Sequence, residues 1–433
     1  MEKERVREKR VYVSEIKSGK IFLQGWVHEL RDLANVKFLL LRDATGIVQC
    51  VVKDEKLFNK FKELTIESVV ALKGEVKSAI VKSPEVYNNK IEVEIKDIEL
   101  INKAEKLPIQ VVEKGITTEL SKRLDYRSID LRKAQVKAIF KIQSEIAMSF
   151  RNFFKQNGFI EIQPPCIIAT ASEGGTALFP VQYFEKKAYL AQSPQLYKQM
   201  AAISLEKVFC SVPVWRAEKH NTIRHLNESR QFDIEVAFAD DFDVMKWLEK
   251  VVQFIVSQVI KNCKKELEIL GLKLEIPKAK YLSYDETIEV LQKNKSKTKK
   301  GDDLSPEDEK ILCKLFPNTI VFVHSWPIDI KPFYIWPKDE KKGISAGFDA
   351  LYGGIEISSG GQRIHKADVL IRMLKLKGLK PEHFEHYINA FRWGAPHHGG
   401  WSIGLERFTM ALLELDNIRE ACIWPRDRER LTP

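Results

Sequence analysis

Residues 213–238, PVWRAEKHNTIRHLNESRQFDIEVAF, constrain the fold of this chain more than any other stretch. They read as strand, basic loop and returning strand. Across 232–238 the apolar residues fall at every second position, the pattern of a strand with one face in a core. Phe232, Ile234, Val236 and Phe238 are expected inward, with Asp233 and Glu235 on the opposite face. On the incoming strand Arg216 and Glu218 also lie two apart. Paired as a hairpin, the segments put Arg216, Glu218, Asp233 and Glu235 on one face, beside a loop bearing Lys219, His220, Arg224 and His225. Fixed cations beside fixed carboxylates, under a mobile basic loop, suit a polyphosphate and an amine bound side by side. Taken alone, the stretch reads equally as a surface hairpin with a solvated charged turn.

A chain of 433 residues exceeds what one hydrophobic core usually serves, so two or more domains are expected. No run approaches the roughly 20 apolar residues of a membrane span, and no membrane partner is expected. The N-terminus MEKERVREKRVYV mixes acids and bases without an apolar core. It is read as a solvated tail, neither a secretory signal nor a transit peptide. The six cysteines are scattered without a CxxC pair, which argues against a zinc site or a disulfide framework and fits reduced thiols in the cytoplasm. The formal charge of +10 is compatible with a polyanionic partner. Residues 1–105 are nearly charge-balanced, so the excess lies further on.

Residues 20–100 carry short strand-like runs separated by turn signals, with a helix-like DEKLFNKFKEL interposed. Five short strands and one helix predict a small closed barrel of the OB type within residues 1–105. Such barrels bind oligonucleotides on one face, and Arg31, Phe38 and Gln49 are candidate contacts. Core packing is the commoner reason for a strand phenylalanine such as Phe38. Residues 106–133 are charged and weakly periodic, and read as a hinge between domains.

From 134 to 433 the chain alternates strands, long helices and hairpins, predicting an α+β domain on a largely antiparallel sheet with flanking helices. A long amphipathic helix over 133–156 stops at Gly158, and a short strand over 159–162 ends at Pro164-Pro165. A Gly-rich turn follows Glu173. A helix beginning at Ser193-Pro194 gathers Gln192, Ser193, Gln195 and Lys198 at its N-terminus. A long helix is expected over 241–263, and LQKNKSKTKKGDD over 291–303 reads as a solvated basic loop. In IEISSGGQR a regular strand would put Glu356 and Ser358 on one face, with Ser359 at its end.

The polar residues fit adenylate formation, in which a carboxylate attacks the α-phosphorus of ATP and pyrophosphate leaves. The nucleophile is ionised at pH 7, so no general base is needed. The demands are charge neutralisation and alignment, met by arginines and Mg²⁺. Neither a GxxxxGK[ST] loop nor a GxGxxG turn opening a βαβ unit occurs.

Three stretches resemble the motifs of the class II aminoacyl-tRNA synthetases. GFIEIQPP after the long helix resembles motif 1, Trp215-Arg216-Ala217-Glu218 with its loop and returning strand resembles motif 2, and Gly404-Leu405-Glu406-Arg407 resembles motif 3. The barrel, QSPQLYKQ and IEISSGGQR resemble the aspartyl branch in its compact archaeal type. The order and spacing of the set make the likeness specific over essentially the whole chain. It implies that Arg216 grips the α-phosphate of ATP, Glu218 meets adenine, and Arg224 and His225 meet the outer phosphates. Arg407 stacks on adenine near the γ-phosphate. Glu356 and Ser359 hold Mg²⁺. Lys198 and Arg363 clamp the side chain of L-aspartate. Glu173, Gln192, Ser193, Asp233, Ser359 and His398 complete the amino-acid site. The motif 1 elements imply an isologous homodimer.

The asparaginyl branch shares this architecture, but an amide needs no cation, and Lys198 facing one would lose its charge partner. A non-catalytic RNA-binding paralogue would be expected to lose Arg216, Glu356 or Arg407, all of which are present. An asparagine synthetase built on the same core would lack the barrel. Enzymes of the aspartyl branch that charge only tRNA(Asp) tend to carry Trp and Lys where this chain has His28 and Pro84; relaxed ones carry His and Pro. The resemblance therefore implies charging of tRNA(Asn) as well as tRNA(Asp), through a pocket for the third anticodon base that accepts U as well as C. A tRNA-dependent amidotransferase would then be a partner. The strict enzyme is the alternative.

Overall fold

A computed structural model describes residues 8–112, 117–170 and 178–433. The first seven residues, Gly115, Glu173 and the Gly-rich turn after it lie outside the described residues. Contacts divide the chain into two compact units, Met1–Thr118 and Glu119–Pro433.

In the first unit β1 (Lys20–Leu33), β2 (Val36–Arg42), β3 (Ile47–Val52), β4 (Val69–Ser78) and β5 (Ile91–Asn102) close a barrel in the order β1-β2-β3-β5-β4. Alternate residues fill it: Leu23, Leu39, Leu41, Val48, Cys50, Leu72, Val93 and Ile95 are buried. Phe38 is not among them. It sits half-buried on the outer face, directly opposite Arg31 in the β1–β2 ladder, because Leu39 and Leu41 take the inward positions.

The second unit is built on an eight-stranded sheet. Its strands are β6 (Ile160–Glu161), β10 (Lys207–Trp215), β11 (Glu228–Ala237), β12 (Lys278–Ser283), β13 (Thr319–His324), β14 (Gly347–Tyr352), β15 (Ile355–Gln362) and β16 (His398–Gly404). Their order is β12-β13-β14-β15-β16-β11-β10-β6. Only the outermost pairs, β12–β13 and β10–β6, are parallel. Strands β7 (Ile167–Ile168), β8 (Pro180–Tyr183) and β9 (Lys186–Leu190) form a small separate sheet.

Two long helices, Ala134–Gln156 and Asp241–Asn262, cover one face of the large sheet. The first buries Ile139, Ile142, Ile146, Phe150, Phe153 and Phe154 at helical spacing. Phe150 stacks on Phe232 of β11 with ring centroids 4.3 Å apart, and Trp401 packs edge-on beside it. Aromatic burial of this size dominates core energetics. Gly158 has φ +78°, a left-handed conformation that ends the first helix where expected. The second helix opens on a reciprocal cap between Asp240 and Asp243.

Three local features differ from expectation. Phe238 lies outside β11, 64% exposed, because its backbone turns left-handed (φ +57°) and ejects the ring from the core face. Residues 119–133, read as hinge, form the short helices Leu120–Asp125 and Arg127–Asp130. These are anchored by hydrogen bonds rather than an apolar stripe. Buried Arg127 pairs with Asp130 and donates to the carbonyls of Glu420, Cys422 and Ile423. The basic segment over 291–303 is ordered: Asp308 accepts from Ser296 and Thr298, and the Tyr284 hydroxyl donates to the Asp302 carbonyl.

Candidate active site

A cleft of 330 Å³ is lined by residues from the β10–β11 hairpin, β15, β16 and the helix Leu405–Leu412. Its two ends differ in construction.

At one end the helix Gln195–Leu205 lies against the face of β11 opposite the long helices. Ser193 accepts from the Gln195 N–H at 3.0 Å, although the helix itself starts one residue later than expected, with Pro194 as its cap. Lys198 is 1% exposed. Its Nζ lies 2.8 Å from Asp233 and 3.5 Å from Glu235, and donates to the Trp401 carbonyl at 3.1 Å. Arg363 donates to Glu235 through Nε at 2.9 Å. Burial opposes the charge on Glu235, but Arg363 and Lys198 outweigh it and hold the carboxyl below its usual value. The charged face of β11 is therefore covered and internally paired, not open as the hairpin pattern suggests.

Gly400 of β16 makes this possible. A Cβ there would collide with the Glu235 carboxylate and the Ile234 carbonyl. Behind the pairs, Gln199 accepts from Gln195 and from Tyr387, each at 2.8 Å. Its amide nitrogen therefore donates to His398 Nε2 at 3.0 Å. His398 is left with its proton on Nδ1, which meets the Pro396 carbonyl at 2.9 Å. Burial holds this imidazole below its ordinary value, consistent with a neutral ring. Lys198, Gln192 and His398 are buried beneath the cleft, whereas Ser193, Asp233 and Arg363 line it.

The other end is loop-borne. β10 stops at Trp215, so Arg216 and Glu218 follow the strand rather than share its face. Asn227 pins them, donating to the carbonyls of Arg216 at 2.7 Å and Glu218 at 3.0 Å. Arg224 is engaged by Glu309 at 2.9 Å and the Gly354 carbonyl at 3.2 Å. His225 faces Thr222 at 2.6 Å and Glu218 at 4.0 Å. Its imidazole is held low by burial and by Arg407. Arg216, Glu218, Arg224, His225 and Arg407 all line the cleft and are half-buried.

Between the ends, β15 carries a bulge. Leu351 pairs with Glu356 and Ala350 with Ser358, so Ile357 is skipped. Ile355 and Ile357 enter the core while both Glu356 and Ser359, which strict alternation would separate, line the cleft. Burial and nearby Asp349 push the Glu356 carboxyl up to about 7, against Arg407 and Lys331. Glu406 accepts from the Arg230 N–H at 3.0 Å and is pushed by burial to about 7.

Residues 119–428 match the family described as tRNA synthetases class II (D, K and N). The chain belongs to the class II tRNA synthetases. Residues 21–101 match an OB-fold nucleic acid binding domain. Among curated relatives, aspartate–tRNA(Asp/Asn) ligase of Methanocaldococcus jannaschii is 45% identical over 97% of this chain and 96% of its own. Aspartate–tRNA(Asp) ligase of Thermococcus kodakarensis is also 45% identical, over 97% of each chain. Among solved structures, asparaginyl-tRNA synthetase from Pyrococcus horikoshii complexed with asparaginyl-adenylate aligns with a TM-score of 0.92 at 34% identity, covering 98% of this chain and 100% of that one.

On the synthetase's barrel, His28, Arg31 and Pro84 line one cavity of 930 Å³. Phe38 and Gln49 lie apart from it; Gln49 donates to Glu92 at 3.0 Å. The resemblance gives no role to Glu235 and Gln195, which the hairpin face and the helix start single out, and sequence reasoning leaves out Gln199, Lys331, Tyr334, Asp349 and Glu309 altogether. Glu235 is legible as the same-face neighbour of Asp233, and Gln199 as the helical i+4 partner of Gln195. No local pattern in the sequence brings Glu309 to Arg224.

Proposed function

We propose that the chain activates L-aspartate with ATP to aspartyl-adenylate and transfers the aspartyl group to tRNA(Asp) and tRNA(Asn). Lys198 and Arg363, held on Asp233 and Glu235 at the closed end of a class II cleft, carry this reading. Two buried cations suit a side-chain carboxylate. Once the substrate ammonium engages Asp233, Lys198 would face an amide without a compensating charge, which disfavours asparagine. Asp233 offers its carboxylate to the substrate ammonium, with Ser193, Gln192, His398 and Ser359 shaping the pocket and Glu173 assigned there by resemblance. The α-carboxylate then attacks the α-phosphorus. Arg216 neutralises charge developing on that phosphate, and Arg224, His225 and Arg407 hold the outer phosphates. Glu218 and the Arg407 plane frame the adenine.

The middle of the cleft fits Mg²⁺. Glu356 and Ser359 both line the cleft there, Ser359 pairs across the ladder with Asp349, and a carboxyl pushed to about 7 by burial and a like charge favours a hard cation. Bound there, the ion would supply charge neutralisation of the phosphates.

The first unit, Met1–Thr118, would read the anticodon, and the second, Glu119–Pro433, perform the chemistry. His28 and Pro84 in one cavity support the relaxed reading of the third anticodon base. A chain that charges tRNA(Asn) with aspartate calls for a tRNA-dependent amidotransferase. The exposed edge strand β6, with Ile160 and neighbouring Met148 open to solvent, supports an isologous homodimer. No helix among the described residues is long and apolar enough to cross a membrane, and their cysteines are free, which suits a cytoplasmic enzyme.

ATP–pyrophosphate exchange with aspartate and asparagine, followed by kcat/KM on unmodified tRNA(Asp) and tRNA(Asn) transcripts, tests the reading. Exchange with aspartate alone and comparable charging of both transcripts are expected. Asparagine-dependent exchange would overturn the amino-acid assignment, and a large preference for tRNA(Asp) the relaxed one.

A further inference from the structure

His28 is the extra residue of a β-bulge. β1 pairs Val27 with Leu41 and Glu29 with Leu40, so His28 has no partner across the ladder. The residue is 8% exposed and borders the barrel cavity with Arg31, Lys82, Pro84 and Glu85.

Its two ring nitrogens are in different situations. Nδ1 lies 2.9 Å from an Arg42 guanidinium nitrogen. A guanidinium only donates, so Nδ1 accepts. Arg42 cannot turn away, because both of its terminal nitrogens lie 2.7 Å from the oxygens of buried Glu67. The ring proton is therefore on Nε2. That atom is buried without a hydrogen-bond partner. The Glu85 carboxylate stops 3.5 Å away, on a side chain 44% exposed in the loop between β4 and β5. Burial and the Arg42 cation hold the imidazole below its ordinary value, against Glu85 and Glu67, so the ring is neutral near pH 7.

We propose that Arg42 is a positioning residue that fixes His28 as an Nε2–H donor for the O2 carbonyl of a pyrimidine base, with Glu85 swinging aside to accept an N–H of the same base. This rests on the reading that the cavity takes the third anticodon base. O2 is a carbonyl acceptor at the same ring position in cytosine and uracil, so a donor that reads it does not separate them. Glu85 accepts from the amino group of cytosine or from N3–H of uracil, and its exposed, loop-borne side chain serves either. Relaxed recognition then follows from a fixed donor on the shared atom and a movable acceptor on the atoms that differ.

The test uses the full chain. Histidine-selective ¹⁵N NMR, with the His28 signal assigned by its loss in His28→Gln, should show bare Nδ1 and protonated Nε2. Replacing U36 by 2-thiouridine in the tRNA(Asn) transcript weakens the O2 acceptor and should lower kcat/KM by about five- to tenfold. Glu85→Ala, an exposed change, should lower kcat/KM for C36 and U36 transcripts by similar factors, leaving aspartate-dependent pyrophosphate exchange unchanged. Arg42→Gln, whose amide can either donate or accept, should mix the His28 tautomers and lower charging of both transcripts, again with exchange unchanged. An Nδ1–H or doubly protonated His28 in the parent protein would overturn the proposal, as would indifference to 2-thiouridine. A strong C36 preference in the parent protein would instead sink the relaxed reading while leaving the tautomer result intact. Insensitivity to any base at 36 would remove that base from the cavity altogether.

Discussion

The two ends of the cleft are built on opposite plans. At the aspartate end, Lys198, Asp233, Glu235 and Arg363 are fully buried and charge-balanced before any ligand arrives. At the ATP end, Arg216, Arg224, His225 and Arg407 are half-buried on a loop and a helix start, and Arg224 is tied to a carboxylate that a phosphate would replace. Buried ion pairs are costly to break and rigid, which suits discrimination between an acid and its amide. Half-exposed arginines reorganise cheaply around a large flexible anion. On the proposed assignment, selectivity at the amino-acid end would be tied to stability, while affinity at the nucleotide end would be tied to rearrangement of half-buried arginines.

That contrast is broken most forcefully at Lys198. Lys198→Leu should reduce aspartate-dependent pyrophosphate exchange by about a thousandfold or more, and also lower unfolding stability by about 3–5 kcal/mol, because Asp233 and Glu235 lose a partner. Adding Asp233→Asn should restore part of the stability in denaturant titrations and none of the activity. Retained exchange in the single variant would remove Lys198 from the site.

Arg216→Ala should lower kcat by about 10²–10³-fold while shifting stability by less than about 0.5 kcal/mol. Loss of stability matching that of Lys198→Leu would mean the two ends are built alike.

The pH dependence separates the middle of the cleft from both ends. If Glu356 holds Mg²⁺ as proposed, the ion needs that carboxyl ionised, and it is raised to about 7. Exchange should therefore fall by about tenfold per unit as pH drops below 7, and added Mg²⁺ should move the midpoint to lower pH. A midpoint indifferent to Mg²⁺ would assign the titration to Glu406, whose carboxyl is also raised to about 7. The stability effect has the opposite sign. A carboxyl with a raised pKa loses its stabilising contribution as pH rises through 7. Without divalent cation, Glu356→Gln should therefore flatten the decline in stability seen from the ordinary carboxyl range up to pH 7.

The smallest effect is expected at Glu309. Glu309→Gln frees Arg224 and should change KM for ATP by about two- to fivefold, with KM for aspartate unchanged. A change in the aspartate constant instead would show the ends to be coupled.

The barrel and the hairpin were legible in the sequence because alternation of apolar residues reports directly on burial: Leu39 and Leu41, and Phe232, Ile234 and Val236, all point inward as their spacing demands. Phe238 broke the pattern because a left-handed backbone, invisible to periodicity, ended the strand first. Within the stretch 106–133, expected as a hinge, the helices over 120–130 left no periodic signal for a related reason: Arg127 anchors them through carbonyls nearly 300 positions away, and no apolar pattern records such contacts.

The sequence by itself determined the family, the order of its motifs and the residue types available for charge. Local spacing and side-chain chemistry suffice for that. Tertiary structure alone decided which of those charges face a ligand. It buried Lys198 against Asp233 and Glu235, used a bulge to turn Glu356 and Ser359 the same way, and set His28 against Arg42 so that only one nitrogen can donate. Each depends on register and on contacts between residues far apart in the chain, which a linear pattern does not encode.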